Sequence, residues 1–380
     1  MTALVRYPMR EQIPPAPRLG PRQPAAGAAS LTLRPVLDAP RRPARVIAAF
    51  PSAVYLETRG GPEPRVVAVV GSDAVRLPNA VVVVATSRER PFRTVREGGE
   101  AWVGDGRVEA EGLEVKVRRW WDPAPALGPV TPGSLAHGVR ALESALRNAG
   151  EASRGGLAGH PDPVRLAARC ADADLAGAVE AAERIVGLGP GLTPSGDDIL
   201  SGLLVSLRLV GAALVSGARG NSGPGHDGPR RDGPGHGGPS HGGPSHGGPF
   251  HGGPSHRGPE HGSRGYGARA VWLADWLGAA VTADAGTRTT ALAASLLHCA
   301  ATGAAGAEVA AVLRAVAGHE PAGPAVRRLL AAGHTSGADL ATGVLAGCRA
   351  ALALADPAAA VRTAGASAEE ARHGERRISA

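Results

Sequence analysis

Short β-branched runs broken by Gly, Pro and Asn fill the first third of the chain, and alanine-rich sequence at helical spacing fills most of the rest. This contrast predicts a β-rich unit followed by a helical one. Val46 to Leu56, Val66 to Val70 and Val81 to Ala85 read as strands. Trp102 to Trp121 reads as a hairpin: the turn Gly104-Asp105-Gly106 leads into an alternation of Leu113, Val115 and Val117 with Glu114, Lys116 and Arg118. After Pro132, Leu135, Val139, Leu142 and Leu146 fall at helical spacing, and Val164 to Val186 continues in the same manner. Further helices are expected over Ile199 to Val215, Val271 to Val281, Arg288 to Ala301, Glu308 to Val316, Ala325 to Leu330, Ala338 to Leu354 and Ala358 to Ala371. The expected fold class is α+β, with a small β-rich domain over residues 44–125 and a mainly α-helical domain over 126–380.

Two stretches fall outside this pattern. Residues 1–43 are rich in Pro and Arg without apolar periodicity, which predicts a disordered extension. Residues 217–268 interrupt the helical domain with a low-complexity Gly/Pro/His insert, in which His236, His241, His246, His251, His256 and His261 recur every five residues. Gly and Pro at that density build no core, so a flexible surface insert is expected. Two readings stay open for it: metal handling by histidine, and simple expansion of a repeat.

Composition removes several function classes. The net charge of +7 is concentrated in residues 1–45, which carry eight Arg against Glu11 and Asp38, and in 217–269, which carry six Arg against Asp227, Asp232 and Glu260. The remainder is close to neutral, so nucleic acid is not an expected partner. Cys170, Cys299 and Cys348 are odd in number and widely spaced, which points away from a disulfide framework or thiolate metal site and towards a reduced, cytoplasmic setting. The apolar run from Ile199 to Ser216 is broken by Arg208 and glycines and reads as a buried helix, so no membrane association is expected.

The densest chemistry lies between Gly187 and Gly202, Gly-Leu-Gly-Pro-Gly-Leu-Thr-Pro-Ser-Gly-Asp-Asp-Ile-Leu-Ser-Gly. Gly187, Gly189 and Gly191 are expected to let backbone approach a ligand, and Ser195 with Asp198 reads as a capping box opening the helix from Ile199. Bared N–H groups at such a helix start suit an anion, with Gly196 and the hydroxyls of Thr193 and Ser195 as further donors. Ser195 to Gly202 aligns without gaps with Ser336 to Gly343, repeating Ser, Gly, Asp, a hydroxyl and Gly. Two similar helix starts converging on one ligand are therefore expected, although Ser336 with Asp339 taken alone is also an ordinary helix start. Asp284 to Thr290 offers Arg288 as an anion fork and Thr287, Thr289 and Thr290 as hydroxyls. His334, two residues before Ser336, is a candidate general base, and no Gly-x-Ser-x-Gly elbow surrounds Ser195.

The glycine-rich run from Gly187, the Thr289-Thr290 pair with Ser295 and Leu297 behind it, and the Ser336-Gly337 segment together resemble the AllH family over residues 45 to 355, the insert excepted. The resemblance implies a subunit of oxamate carbamoyltransferase. That enzyme splits oxalurate with phosphate into oxamate and carbamoyl phosphate during allantoin breakdown, and there works beside two other polypeptides. It implies small-molecule carboxylate and carbamoyl phosphate ligands and other subunits as partners. On this reading Asp197, Asp198 and Ser195 are the catalytic candidates, and Gly189, Gly191, Thr193, Gly196, Arg288, Thr289, Thr290, Ser336 and Gly337 the substrate- or phosphate-binding ones. Asp197 is favoured over Asp198, which the capping box already employs. The carboxylate pair would accept from the carbamoyl NH₂ or hold Mg²⁺ against phosphate. Two rival functions are a non-catalytic anion-binding scaffold for a partner enzyme and metal handling through the histidine insert.

Overall fold

The computed structural model describes residues 24–220 and 266–356. Eight strands come first: β1 (Ala25–Ser30), β2 (Arg42–Ala49), β3 (Ala53–Thr58), β4 (Val66–Val70), β5 (Ala80–Val83), β6 (Glu100–Gly104), β7 (Arg107–Ala110) and β8 (Leu113–Trp121). They form a closed barrel in the order β1-β5-β4-β3-β2-β6-β7-β8, in which β1 runs parallel to β8 and β4 parallel to β5. Closure leaves no unpaired sheet edge. The short helix α1 (Arg34–Leu37) supplies Val36 and Leu37, which with Leu33 pack into the barrel core beside Val46, Leu56, Val67, Val69 and Val115.

Strand β4 is apolar at every position because both of its faces are covered. Val67 and Val69 join the barrel interior, while Ala68 and Val70 pack outward with Ala53 and Ala80. That outward face meets the helical region, and the Val66 N–H donates to the buried Ser295 hydroxyl at 3.0 Å. Sequence spacing gave β4 its correct bounds but merged β2 with β3, which turn back on each other at Phe50 to Ser52.

The helical region comprises α2 (Pro132–Ala149), α3 (Pro161–Ala171), α4 (Leu175–Glu183), α5 (Ser195–Gly220), α6 (Tyr266–Thr282), α7 (Ala285–Arg288), α8 (Ala291–Ala301), α9 (Ala307–Val316), α10 (Ala322–Leu330) and α11 (Ser336–Ala355). Helix α5 is its axis: Leu200, Leu203, Leu204 and Leu207 are wholly buried in the one large helical core. Both α5 and α11 are long and apolar enough to cross a bilayer by length and composition, and 67% of each apolar window is buried inside the protein. Core packing therefore accounts for their apolar character.

Several expectations need correcting. Order begins at β1, so the disordered extension expected through residue 43 does not hold from Ala25 onward; residues 1–23 lie outside the described residues. The helices flanking the insert extend to Gly220 and back to Tyr266, further than the expected limits of 217 and 268, and residues 221–265 with the histidine repeat lie outside the described residues. The single helix expected from Arg288 to Ala301 is two, because Thr290 leaves helical geometry and its hydroxyl accepts from the Ala293 N–H as an N-cap. Val164 to Val186 likewise divides into α3 and α4, and the helix expected over Ala358 to Ala371 lies outside the described residues.

Candidate functional site

Helices α5 and α11 pack side by side in the same direction, and glycines at matched positions make this possible. A Cβ on Gly202 would stand 2.4 Å from the Leu340 carbonyl oxygen, and one on Gly343 would stand 2.0 Å from that of Ile199. The Ser195–Gly202 and Ser336–Gly343 repeat is thus a repeat in space. Its two N-termini converge, with the hydroxyls of Thr193 and Ser336 only 3.1 Å apart. Parallel alignment sets both positive dipole ends beside Asp197, Asp198 and Asp339.

Neighbouring carboxylates at the start of α5 have opposite employments. Asp197 is tied into the protein: its Oδ1 accepts from the Gly187 N–H at 3.0 Å and its Oδ2 from the Thr289 hydroxyl at 2.5 Å. Burial still raises its pKa, against the lowering effect of those two bonds and of the Arg288 charge. Asp198 is 5% exposed, and its Oδ2 has no hydrogen-bond partner among the described residues. Burial pushes its carboxyl up to about 8, the Ser336 and Thr193 hydroxyls pull it down, and the nearby Asp339 and Asp197 charges push it up again. Asp339, 1% exposed, has neither carboxyl oxygen hydrogen-bonded among the described residues. Gly155 and Gly156 lie over it and over Ser195, so closely that a Cβ on Gly155 would meet Asp339 Oδ1 at 2.1 Å.

The capping box assigned to Ser195 and Asp198 is not formed. The Pro194 carbonyl takes the N–H groups of both Asp197 and Asp198, at 3.0 and 3.1 Å, and Ser195 is the first residue of α5. Asp197 fixes the loop through its two hydrogen bonds, whereas Asp198 lines a cavity. The Gly196 N–H is also engaged, donating to the Leu188 carbonyl at 2.9 Å. Gly187 and Gly189 adopt positive φ of 72° and 120° so that the loop can lie against protein backbone. A Cβ on Gly187 would strike the Arg288 carbonyl and one on Gly189 the Ser195 N–H; Gly191 alone of the three has open space around it.

Asp198, Thr193, Ser201 and Ser336 form the polar end of a cavity of about 240 Å³ between the barrel and the helices. Its apolar wall includes Val75, Leu77 and Pro78 after β4, Leu292 and Leu296 of α8, and Leu340 of α11. Tyr55 of β3 also lines it, its phenol raised by burial. The barrel wall was not foreseen from sequence, and residues so distant along the chain carry no motif that could have revealed it. Asp198 and Glu308 are the only charged residues among the described residues lining the cavity.

Other candidates lie elsewhere. Arg288 donates to the Glu183 carbonyl at 2.6 Å and pairs with Asp284 at 3.7 Å, so its guanidinium braces α7 against α4 and does not line the cavity. Thr289 holds Asp197, and the Thr290 hydroxyl donates to the Leu192 carbonyl at 2.5 Å, pinning the glycine loop to α8. Gly337 packs against the Leu329 carbonyl, where a Cβ would stand 2.0 Å away. His334 is exposed and outside the cavity lining, and His319 bonds the Leu127 carbonyl at 2.8 Å. Among the described residues no group of three or more His, Cys, Asp or Glu side chains is placed to hold a metal ion. Of the two carboxylates considered for a Mg²⁺ bridge, Asp197 already accepts one hydrogen bond at each oxygen.

The glycine loop, both converging helix starts and the Thr289-Thr290 step lie in two stretches of the chain, residues 185–219 and 268–348. Those stretches match the AllH family, described as oxamate carbamoyltransferase subunit AllH. At family level the AllH match is to a carbamoyltransferase-related subunit. It takes in the glycine loop, α5, the Thr289-Thr290 step and the start of α11, and it leaves the barrel outside, although the resemblance read from sequence began at residue 45. No curated protein and no solved structure matches the chain. A subunit of such an enzyme has other subunits as partners.

Proposed function

We propose that this chain is the AllH-type subunit of a cytoplasmic complex that interconverts oxalurate and phosphate with oxamate and carbamoyl phosphate, in the recovery of nitrogen from purines through allantoin. The observation that carries the reading is the AllH match falling on the residues that build the polar end of the cavity. Carbamoyl transfer needs an acceptor for the carbamoyl NH₂ and donors for the oxyanion that forms at its carbon. The Asp198 carboxyl lines the cavity with its Oδ2 unpartnered among the described residues, and the Thr193 and Ser336 hydroxyls stand at the same end as donors. A phosphate dianion finds no cation among the described cavity-lining residues and meets the carboxyl groups of Asp198 and Glu308. The grip on phosphate therefore falls to another subunit, and the chain orients the carbamoyl group.

The test is phosphorolysis of oxalurate, followed by oxamate and carbamoyl phosphate formation, with the chain alone and with the complex recovered through a tag on the full-length chain. The complex turns over and the chain alone does not. Asp198→Leu lowers turnover of the assembled complex by on the order of 100-fold, the usual cost of losing a group that contacts the reacting atoms. A complex that forms no oxamate, or an Asp198→Leu complex with undiminished turnover, would overturn the reading.

A further inference from the structure

The cavity next to Asp198 has a chemistry that neither oxalurate nor carbamoyl phosphate exhausts. Apart from Asp198, Thr193, Ser201, Ser336, Glu308 and Tyr55 the wall is apolar, drawn largely from the barrel side (Val75, Leu77, Pro78) and from α8 (Leu292, Leu296). Such a wall rewards an apolar body, which small polar anions lack. At the polar end lies the Asp198 side chain, 95% buried, with its Oδ2 unpartnered among the described residues. A buried acceptor of this kind costs stability until a donor reaches it.

We propose that this cavity binds an uncharged primary amide or ureide carrying an aliphatic tail, its CO–NH₂ group paired with the Asp198 carboxyl through two hydrogen bonds and its tail lying along Leu77, Leu292 and Leu296. In the pair the protonated carboxyl donates O–H to the amide carbonyl, and the amide N–H donates to the other carboxyl oxygen. Each group spends one donor and one acceptor in the pair, and the second amide N–H is left to the hydroxyl oxygens of Thr193 and Ser336 at the same end of the cavity. The groups around Asp198 favour the neutral form: Asp197 on its own helix, Asp339 on α11, and Glu308 and Tyr55 on the cavity wall supply no positive charge. Burial in that company keeps the carboxyl protonated through neutral pH, its pKa standing at about 8. A carboxylate ligand would face Asp198, Asp339 and Glu308, and an alkylammonium would suit the ionised carboxylate alone.

This inference stands apart from carbamoyl transfer, because simple binding to the isolated full-length chain reads it. Hexanamide, hexanoate and hexylammonium are titrated at pH 6.5 and pH 9.5 by ligand-observed NMR. Hexanamide binds at least tenfold more tightly than either charged analogue at pH 6.5, and weakens at least tenfold at pH 9.5 as the carboxyl loses its proton. Asp198→Asn keeps hexanamide binding without the pH dependence, since an amide side chain still offers one donor and one acceptor. Asp198→Leu abolishes binding, and so does Leu296→Trp, which fills the tail site without touching the carboxyl; circular dichroism checks that each is folded. Absence of hexanamide binding, equal or tighter binding of a charged analogue at pH 6.5, or undiminished binding to folded Asp198→Leu overturns the proposal. The wild-type pH and analogue comparisons decide the matter even where a variant does not fold. Failure here leaves oxalurate turnover by the complex unaffected, so the two readings fall separately.

Discussion

Replacing Asp198 by Asn should stabilise the protein, and increasingly so as pH rises. The folded-state pKa of Asp198 stands at about 8 against an ordinary 3.8. A group whose folded pKa is raised binds more protons folded than unfolded between those two values, so its contribution is fully present below the lower value and is lost as pH climbs to the higher. The shift of about 4 units, at roughly 1.4 kcal/mol each, sets a ceiling of about 6 kcal/mol on that loss. Relaxation and water entry around a cavity-facing carboxyl reduce it, so the realised difference between pH 5 and pH 9 should be on the order of 2–4 kcal/mol. Asn cannot ionise, and its NH₂ can donate to the unpartnered Asp339 carboxyl nearby. Urea denaturation followed at 222 nm, where the helices dominate the signal, measures both proteins at pH 5, 7 and 9. Subtracting the two profiles cancels every other titrating group. Parallel profiles would show that Asp198 is well solvated and that the cavity assignment is wrong.

Further perturbations probe the supports of the site. Thr289→Val strands Asp197 Oδ2 without its hydroxyl partner and should cost about 1–3 kcal/mol in urea denaturation; a neutral result would mean that Asp197 does not anchor the loop. Gly343→Ala must force α11 away from the Ile199 carbonyl and should cost about 1–3 kcal/mol with a lowered Tm, whereas an unchanged Tm would contradict the close parallel packing. Excising residues 222–262 should leave Tm and turnover of the complex unchanged, because α5 and α6 already lie against each other where Gly267 approaches the Gly211 carbonyl. Activity lost on excision and restored by added Zn²⁺ or Ni²⁺ would favour metal handling by the histidines instead.

How much of this could be read from the sequence varied with the range of the interaction. The apolar run of β4 and the Gly104-Asp105-Gly106 turn between β6 and β7 are local signals and legible, although the single hairpin expected over Trp102 to Trp121 is three strands, with a second turn at Glu111-Gly112 between β7 and β8. Strand β1 was not: Ala25 to Ser30 is alanine and glycine without alternation, and it becomes a strand because it fits between β5 and β8. There Gly27 leaves room that a Cβ would close, at 2.7 Å from Val115 and 2.8 Å from Val81. In the site, the eight-residue repeat foretold two converging helix starts, since the matched glycines Gly202 and Gly343 let the two helices approach. The capping box expected of Ser195 and Asp198 does not form because the Pro194 carbonyl accepts from the Asp197 and Asp198 N–H groups instead, a backbone choice that residue types do not reveal. Arg288 looked like an anion fork only while the Glu183 carbonyl, 105 residues away, was out of view.

The central claim is that the starts of α5 and α11 form one site, and a cross-link tests it most directly. The hydroxyls of Thr193 and Ser336 are 3.1 Å apart, so cysteines at both positions should oxidise to a disulfide. Cys170, Cys299 and Cys348 are buried with thiols pushed up to about 12, and they should stay unreacted under the same mild conditions. Non-reducing electrophoresis and peptide mass analysis of Thr193→Cys/Ser336→Cys should find the 193–336 link in most molecules. Two free thiols at those positions, each alkylated independently in the folded protein, would place the helix starts apart and remove the basis of the site.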